Sequence, residues 1–159
     1  MGMPKAFWLV AALLLGSHGS LAQECAERQV DIRNQSSQVR FSVEIADDEP
    51  ERAQGLMFRE SLPQYSGMLF VYDAPIDAVF WMHNTYIPLD MLFMDQTGKV
   101  LQIIQNATPK TDTARVGGPN IRFVLEINGG MAEKLGLTVG SVMRHPAIDP
   151  TLANWQCAK

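Results

Sequence analysis

The chain has 159 residues, of which 47% are hydrophobic and 19% charged, a balance typical of folded globular proteins and unlike that of collagen-like or disordered chains. Lysine and arginine number 13 against 17 aspartates and glutamates, so the formal net charge is -4. Such a chain lacks the broad positive field that non-specific nucleic-acid binding uses, and nucleic acid is not an expected partner. The sequence also contains no Gly-rich phosphate loop, paired-histidine metal motif or nucleophile elbow.

Residues 1–22 have the three parts of a secretory signal peptide. Lys5 supplies the basic region, residues 6–15 form the apolar run, and a small-x-small cleavage site ends at Ala22. The apolar run is roughly half as long as a membrane-spanning helix, which favours cleavage over a membrane anchor. A glutamate precedes the first cysteine, where a lipoprotein would need a small residue. We therefore expect cleavage near Ala22, a single domain over residues 23–159 without a stable membrane anchor, and a periplasmic or secreted location.

The two cysteines lie near opposite ends of this expected domain, at Cys25 and Cys157. Export compartments permit disulfides, and the ends of a domain are often close in space. No Cys-x-x-Cys redox motif occurs. The sequence predicts a Cys25–Cys157 disulfide that stabilises the fold without taking part in chemistry; two free thiols are the alternative.

Hydrophobic periodicity predicts short strands interrupted by two short helices. Residues 38–46 alternate apolar and polar side chains, the pattern of a half-buried strand. Asp48, Pro50 and Glu51 then form a helix start, followed by a short helix over about residues 50–57. Apolar runs bounded by Gly, Pro or Asp predict further strands over residues 67–72, 79–82, 91–94, 100–104, 122–128 and 141–144, and a second helix over 130–135.

Turn residues complete this prediction. Gly98 fits a hairpin between the strands 91–94 and 100–104, Gly136 ends the second helix, and residues 106–120 are predicted to form a long loop. The predicted fold class is α+β: one domain with a mixed or antiparallel sheet that curls toward a barrel, and two short helices.

Several motifs occur in one order along the chain. They are ERAQGLMFR at 51–59, GMLF at 67–70, FWMHNT at 80–85, IPLD at 87–90 and LEINGG at 125–130, followed by Gly136 and Gly140. Over about residues 39–144 the chain resembles the domain of unknown function 192 family. The resemblance implies a β-rich, barrel-like and frequently exported domain with no established reaction, substrate or cofactor. This family commonly has lysine at the position of His83, which argues against an essential catalytic or metal role for His83.

The densest group of potential binding residues comprises Trp81, Asn84 and Thr85 and runs on to Asp90. An aromatic plane beside hydrogen-bonding groups is typical of the rim of a small-ligand site. The alternative is structural: Asn84 and Thr85 would satisfy a local turn, and Trp81 would fill core.

Arg52 and Arg59 are seven residues apart, so both would leave one face of the first helix if it continued that far. Such a pair would bind a carboxylate or phosphate, because each guanidinium is a rigid bidentate donor. A structural ion pair with Asp90 or Glu126 is the competing interpretation.

Asp90 and Glu126 lie in strongly apolar stretches, where an acid is out of place unless it is paired or functional. Two carboxylates across one cleft would serve as the acid and base of a hydrolase or lyase. The more ordinary explanation is that both are buried and satisfied by arginine or backbone N–H groups.

No metal or other cofactor is expected. The methionines lie singly in apolar strand patterns, as core fillers do, rather than in the dense clusters that carry copper.

Three functional hypotheses follow. The first is an exported binding or accessory module without catalytic activity. The second is a hydrolase or lyase that uses Asp90 and Glu126, and the third is a purely structural interaction domain. In the first, a small polar or anionic ligand, or part of an exported protein partner, contacts Arg52, Arg59, Trp81, Asn84, Thr85, Asp90 and Glu126.

Overall fold

The computed structural model describes residues 24–158, so the predicted signal peptide lies outside the described residues. In this range seven strands curl into a half-barrel accompanied by two short helices, which confirms the predicted fold class. The elements are β1 (Gln29–Arg33), β2 (Gln38–Ala46), α1 (Glu49–Gln54), β3 (Ser66–Phe80), β4 (Leu89–Met94), β5 (Val100–Ala107), β6 (Arg115–Asn128), α2 (Met131–Lys134) and β7 (Val142–Arg144).

The strands form one sheet in the order β5-β4-β6-β3-β2-β1-β7. β2 pairs with β3 in parallel, and the remaining neighbours are antiparallel. The two outer strands meet at one corner, where Lys99 bridges to Val142 and the Val100 N–H donates to the Ser141 carbonyl at 2.8 Å. This contact between the two edges gives the sheet its curled shape.

α1 begins where the sequence indicates but ends earlier, at Gln54. The Asp48 side chain caps it by accepting a hydrogen bond from the Glu51 N–H at 2.8 Å. Gly55 then adopts φ 50° and ψ -137°, a conformation that stops the helix. Arg59 therefore lies beyond α1, and the expected placement of Arg52 and Arg59 on one helical face does not form.

Three strand predictions need correction. β3 is one strand of 15 residues where two were predicted, because register shifts against β6 carry the pairing past Asp73 and Pro75. The predicted loop 106–120 is shorter, since β5 extends to Ala107 and β6 begins at Arg115. β1 was not predicted at all.

The predicted β4–β5 hairpin is confirmed, with Gly98 at φ 80° in its turn. A Cβ atom at this position would lie 2.6 Å from the Ile148 Cδ1 atom, so space as well as backbone conformation requires glycine.

Successive side chains of β6 point to opposite faces of the sheet, and each face has its own hydrophobic cluster. Leu125 belongs to a cluster with side chains from all seven strands, whereas Val124 packs with Phe70 and Phe93 on the opposite face. Glu126 follows Val124 by two residues and lies on this second face.

The two ends of the domain are joined. Cys25 and Cys157 form the predicted disulfide, 132 residues apart in sequence. Nearby, Trp155 lies between two guanidinium groups, those of Arg33 and Arg144, at 4.2 and 4.3 Å from its ring centroid. Between residues 24 and 158 there is no helix with the length and apolar character needed to span a membrane.

Candidate functional site

A cavity of about 190 Å³ opens beside the end of α1, on the face of the sheet that carries Phe70. Residues from α1, β3, β6 and the segment after β3 line it together. Four of the seven sequence-predicted binding residues are among them: Arg52, Trp81, Thr85 and Glu126. Its size is below that of sites for drug-sized molecules, so it suits a small ligand.

Gly55 leaves the space above the floor of the cavity open. A Cβ atom built on this glycine would lie 3.2 Å from the Phe70 Cζ atom and 4.0 Å from the Glu126 Oε2 atom. The positive φ that ends α1 also excludes most other residues from this position. The turn that terminates the helix therefore also keeps a side chain away from the Glu126 carboxyl.

Glu126 forms the polar part of the floor. Its side chain is only 4% exposed, and among residues 24–158 it has neither a hydrogen-bond nor an ion-pair partner. Burial raises the pKa of the Glu126 carboxyl to about 8. The group is therefore mainly protonated at neutral pH, in a cavity that a ligand can enter.

Arg52 and Tyr72 lie between the rim and the floor. The Arg52 guanidinium donates to the Val71 carbonyl at 2.9 Å and lies over the Tyr72 ring, 5.1 Å from its centroid. Burial raises the pKa of the Tyr72 phenol, while the nearby Arg52 lowers it and Glu126 raises it further. Both Arg52 and Glu126 are therefore close enough to Tyr72 to affect its ionisation.

Aromatic side chains form the apolar walls. Phe80 packs edge-to-face against Phe70, with ring centroids 5.1 Å apart, and against Phe93 at 5.6 Å. Trp81 is 52% exposed and stacks on His83 at 4.9 Å. The walls are buried at the base, at Phe70, and exposed at the rim, at Trp81.

The turn after Trp81 divides its residues between two surfaces. Thr85 lines the cavity, and its hydroxyl donates to the His83 carbonyl at 3.2 Å. Asn84 has φ 50° and its carbonyl accepts from the Phe58 N–H at 2.8 Å. Asn84 instead lines a neighbouring depression with Lys110, outside the cavity.

The remaining two candidates also lie outside. Arg59 pairs with Glu44 at 2.6 Å on the surface. Asp90 is fully buried, and its carboxylate accepts three backbone N–H groups, from Asn106 at 2.7 Å, Gly130 at 2.9 Å and Ala132 at 2.7 Å.

Asp90 and Glu126 are on opposite faces of the sheet. Met91 is the direct partner of Glu126 in the β4–β6 pairing and shares its face, so the preceding residue, Asp90, points the other way. The structure therefore does not bring the two acids together.

Sequence reasoning missed most of the residues that line the cavity, among them Gly55, Tyr72 and Phe80. A signal for Tyr72 was present, because it follows Phe70 by two residues on one strand and shares its face. No such signal was present for Gly55, because its role in the cavity depends on where α1 ends. Elsewhere in the described chain, no group of three His, Cys, Asp or Glu side chains is placed to hold a metal ion.

The fold and this cavity define a β-rich half-barrel domain with one small site beside its first helix. The chain belongs to the domain of unknown function 192 family, described as an uncharacterised ACR, whose sequence profile matches residues 30–145. No protein with a curated description matches the chain.

Two solved structures are similar to it. One is a protein of unknown function from Novosphingobium aromaticivorans DSM 12444, with 40% identity over 72% of this chain and 82% of that one and a TM-score of 0.69. The other, from Sinorhizobium meliloti 1021, is described as a "putative transcription regulator"; it has 34% identity over 76% of this chain and 95% of that one, with a TM-score of 0.71.

Proposed function

We propose that the protein is an exported binding module that holds a small polar ligand in the cavity between α1 and Trp81. One observation carries this proposal: Arg52, Trp81, Thr85 and Glu126, which come from three separate segments of the sequence, line the same cavity. A concave site with aromatic walls and a few polar groups is the usual form of a small-molecule site.

Binding is favoured over the hydrolase or lyase hypothesis. That hypothesis needs Asp90 and Glu126 across one cleft, whereas the sheet lies between them. Asp90 is also fully occupied by backbone N–H groups.

The description of the Sinorhizobium protein raises DNA-linked regulation as a function to weigh for this chain. A net charge of -4 and a disulfide between the two ends of the domain both favour an exported binding module instead.

Ligand binding is tested by thermal melts of residues 23–159 with a panel of small polar metabolites. At least one compound is expected to raise the melting temperature, because a ligand that binds only the folded state stabilises it by mass action. Trp81→Ala is expected to abolish this rise without lowering the unliganded melting temperature, since the side chain is half exposed.

Arg59→Gln is the matched control, because Arg59 lies close to α1 but outside the cavity. It should retain the full ligand response. A panel without any response in the wild type, or an equal loss of response in both variants, would contradict the proposed site.

The proposed export makes a second prediction. The protein recovered from the periplasm or medium of an expressing bacterium is expected to begin near Gln23, with a mass 2 Da below that of the reduced chain, because one disulfide removes two hydrogen atoms (about 1 Da each). Intact mass spectrometry before and after reduction measures both the residue at which the protein begins and the mass difference due to the disulfide. Recovery of the chain with residues 1–22 attached, in the membrane fraction, would refute it.

A further inference from the structure

Three acidic side chains are nearly or fully buried in the described part of the domain, and the fold partners two of them. Asp31 pairs with Arg40 and Arg144, each at 2.6 Å. Asp90 accepts its three backbone N–H groups. Glu126, the third, is 96% buried and receives no such bond, although it faces a cavity. Of these three acids, Glu126 is the one that the fold leaves facing a cavity, so its place at the cavity floor points to a partner that arrives from outside.

The surroundings of Glu126 identify the chemistry of that partner. Phe70, Phe80 and Trp81 surround the space with aromatic surface, which attracts cations as well as apolar groups. A carboxyl with such walls matches an ammonium group, which is a compact donor of three hydrogen bonds.

Arg52 supplies the opposite charge in the same cavity. Within residues 24–158 its guanidinium donates two hydrogen bonds, both from the Nη1 atom, to the carbonyls of Asp47 and Val71. Its Nε and Nη2 donors therefore remain available to a carboxylate. Tyr72 is near both groups, since Arg52 lowers the pKa of its phenol and Glu126 raises it.

We propose, building on the proposed function, that the cavity takes a small amino-carboxylate zwitterion, with its ammonium group on Glu126 and its carboxylate toward Arg52. A free amino acid is the simplest molecule of this class.

This arrangement moves a proton. In the empty cavity Glu126 holds its proton, since burial raises its pKa to about 8. When an ammonium group arrives, the carboxylate form is favoured, so the carboxyl O–H bond breaks and its proton passes to the buffer. The other charged or titratable groups of the cavity are Arg52 from α1 and Tyr72 from β3, and burial raises the pKa of the Tyr72 phenol.

The test uses thermal melts of residues 23–159 with each of the twenty common L-amino acids. For the amino acid with the largest shift, calorimetry then compares three molecules: the amino acid, its decarboxylated amine and its deaminated acid. We expect the deaminated acid to bind at least about tenfold more weakly, because it leaves Glu126 without a partner. Titrations at pH 7 in two buffers of different ionisation enthalpy should show release of about one proton per bound amino acid.

Glu126→Gln keeps the size of the side chain but removes its charge. It should abolish the proton release and the preference for the amino group, whereas Arg59→Gln should retain both. If the metabolite panel contains a ligand that needs Trp81 but no amino acid binds, the zwitterion proposal fails while the binding function stands. The zwitterion proposal is also overturned if the deaminated acid binds with the same affinity as the amino acid, or if the amino acid binds without proton release. If no compound of either panel binds, both proposals fall.

Discussion

Replacing Glu126 with glutamine is expected to remove the fall in stability that this carboxyl causes between pH 4.5 and pH 8. In the unfolded chain this carboxyl ionises near its ordinary pKa of 4.5, whereas burial holds it protonated in the folded state up to about pH 8. Between these pH values the folded protein binds more protons than the unfolded chain. The contribution of Glu126 to the free energy of unfolding therefore falls as pH rises. Raising the pKa from 4.5 to about 8 corresponds to a loss of about 5 kcal/mol in the free energy of unfolding across this pH interval, with little change from this group outside it.

The measurement is the free energy of unfolding by urea at pH 5, 7 and 9 for the wild type and Glu126→Gln, with the disulfide intact. As pH rises, the free energy of unfolding of the glutamine variant should increase steadily relative to that of the wild type, because glutamine carries no charge to desolvate. His145, whose pKa is lowered by burial, acts in the opposite direction at acid pH, but it is present in both proteins and cancels from their difference. A difference that stays constant with pH would show that Glu126 ionises normally in the folded state.

Asp90→Ala is expected to destabilise the domain by about 3 to 5 kcal/mol, because three backbone N–H groups lose their acceptor. These donors come from the end of β5, the turn before α2 and the first turn of α2, so one carboxylate holds three segments together. Asp90→Asn should destabilise the domain less than Asp90→Ala, since its amide oxygen still accepts hydrogen bonds. Its NH₂ group, however, faces the Ala132 N–H, which is also a donor.

Urea unfolding compares these variants with Asp149→Ala, a change at an exposed aspartate whose side chain accepts from Thr151 in a surface turn. That control should lose much less stability than Asp90→Ala. If Asp90→Ala were as stable as the control, the role of Asp90 as a structural acceptor would be wrong.

The two acids show how far sequence reasoning reaches at this site. Both were recognisable as unusual, because each interrupts an apolar strand. Which face each occupies depends on the register between β4 and β6, and no local pattern encodes that register. The same register decides that Asp90 meets backbone donors and that Glu126 meets a cavity.

Local signals were informative where the local chain determines the structure. Asp48 and Glu51 predicted the start of α1, and Gly98 predicted the β4–β5 hairpin. By contrast, β1 is five residues long and contains Asp31, a charged residue whose burial depends on Arg40 and Arg144 from two other strands. Residues 29–33 do alternate polar and apolar side chains as a strand does, but the pattern is short and the burial of Asp31 is not visible in it.

The positions of Cys25 and Cys157 also decide how the domain responds to mechanical load. A pull on the two ends of the chain reaches these cysteines before any of the seven strands, all of which lie between residues 29 and 144. The tension then passes along the covalent sulfur bridge, and the hydrogen bonds of the sheet carry none of it. While the bridge is oxidised, the domain would bear tension between its ends without unravelling; once it is reduced, the same tension would act first on β1 and β7.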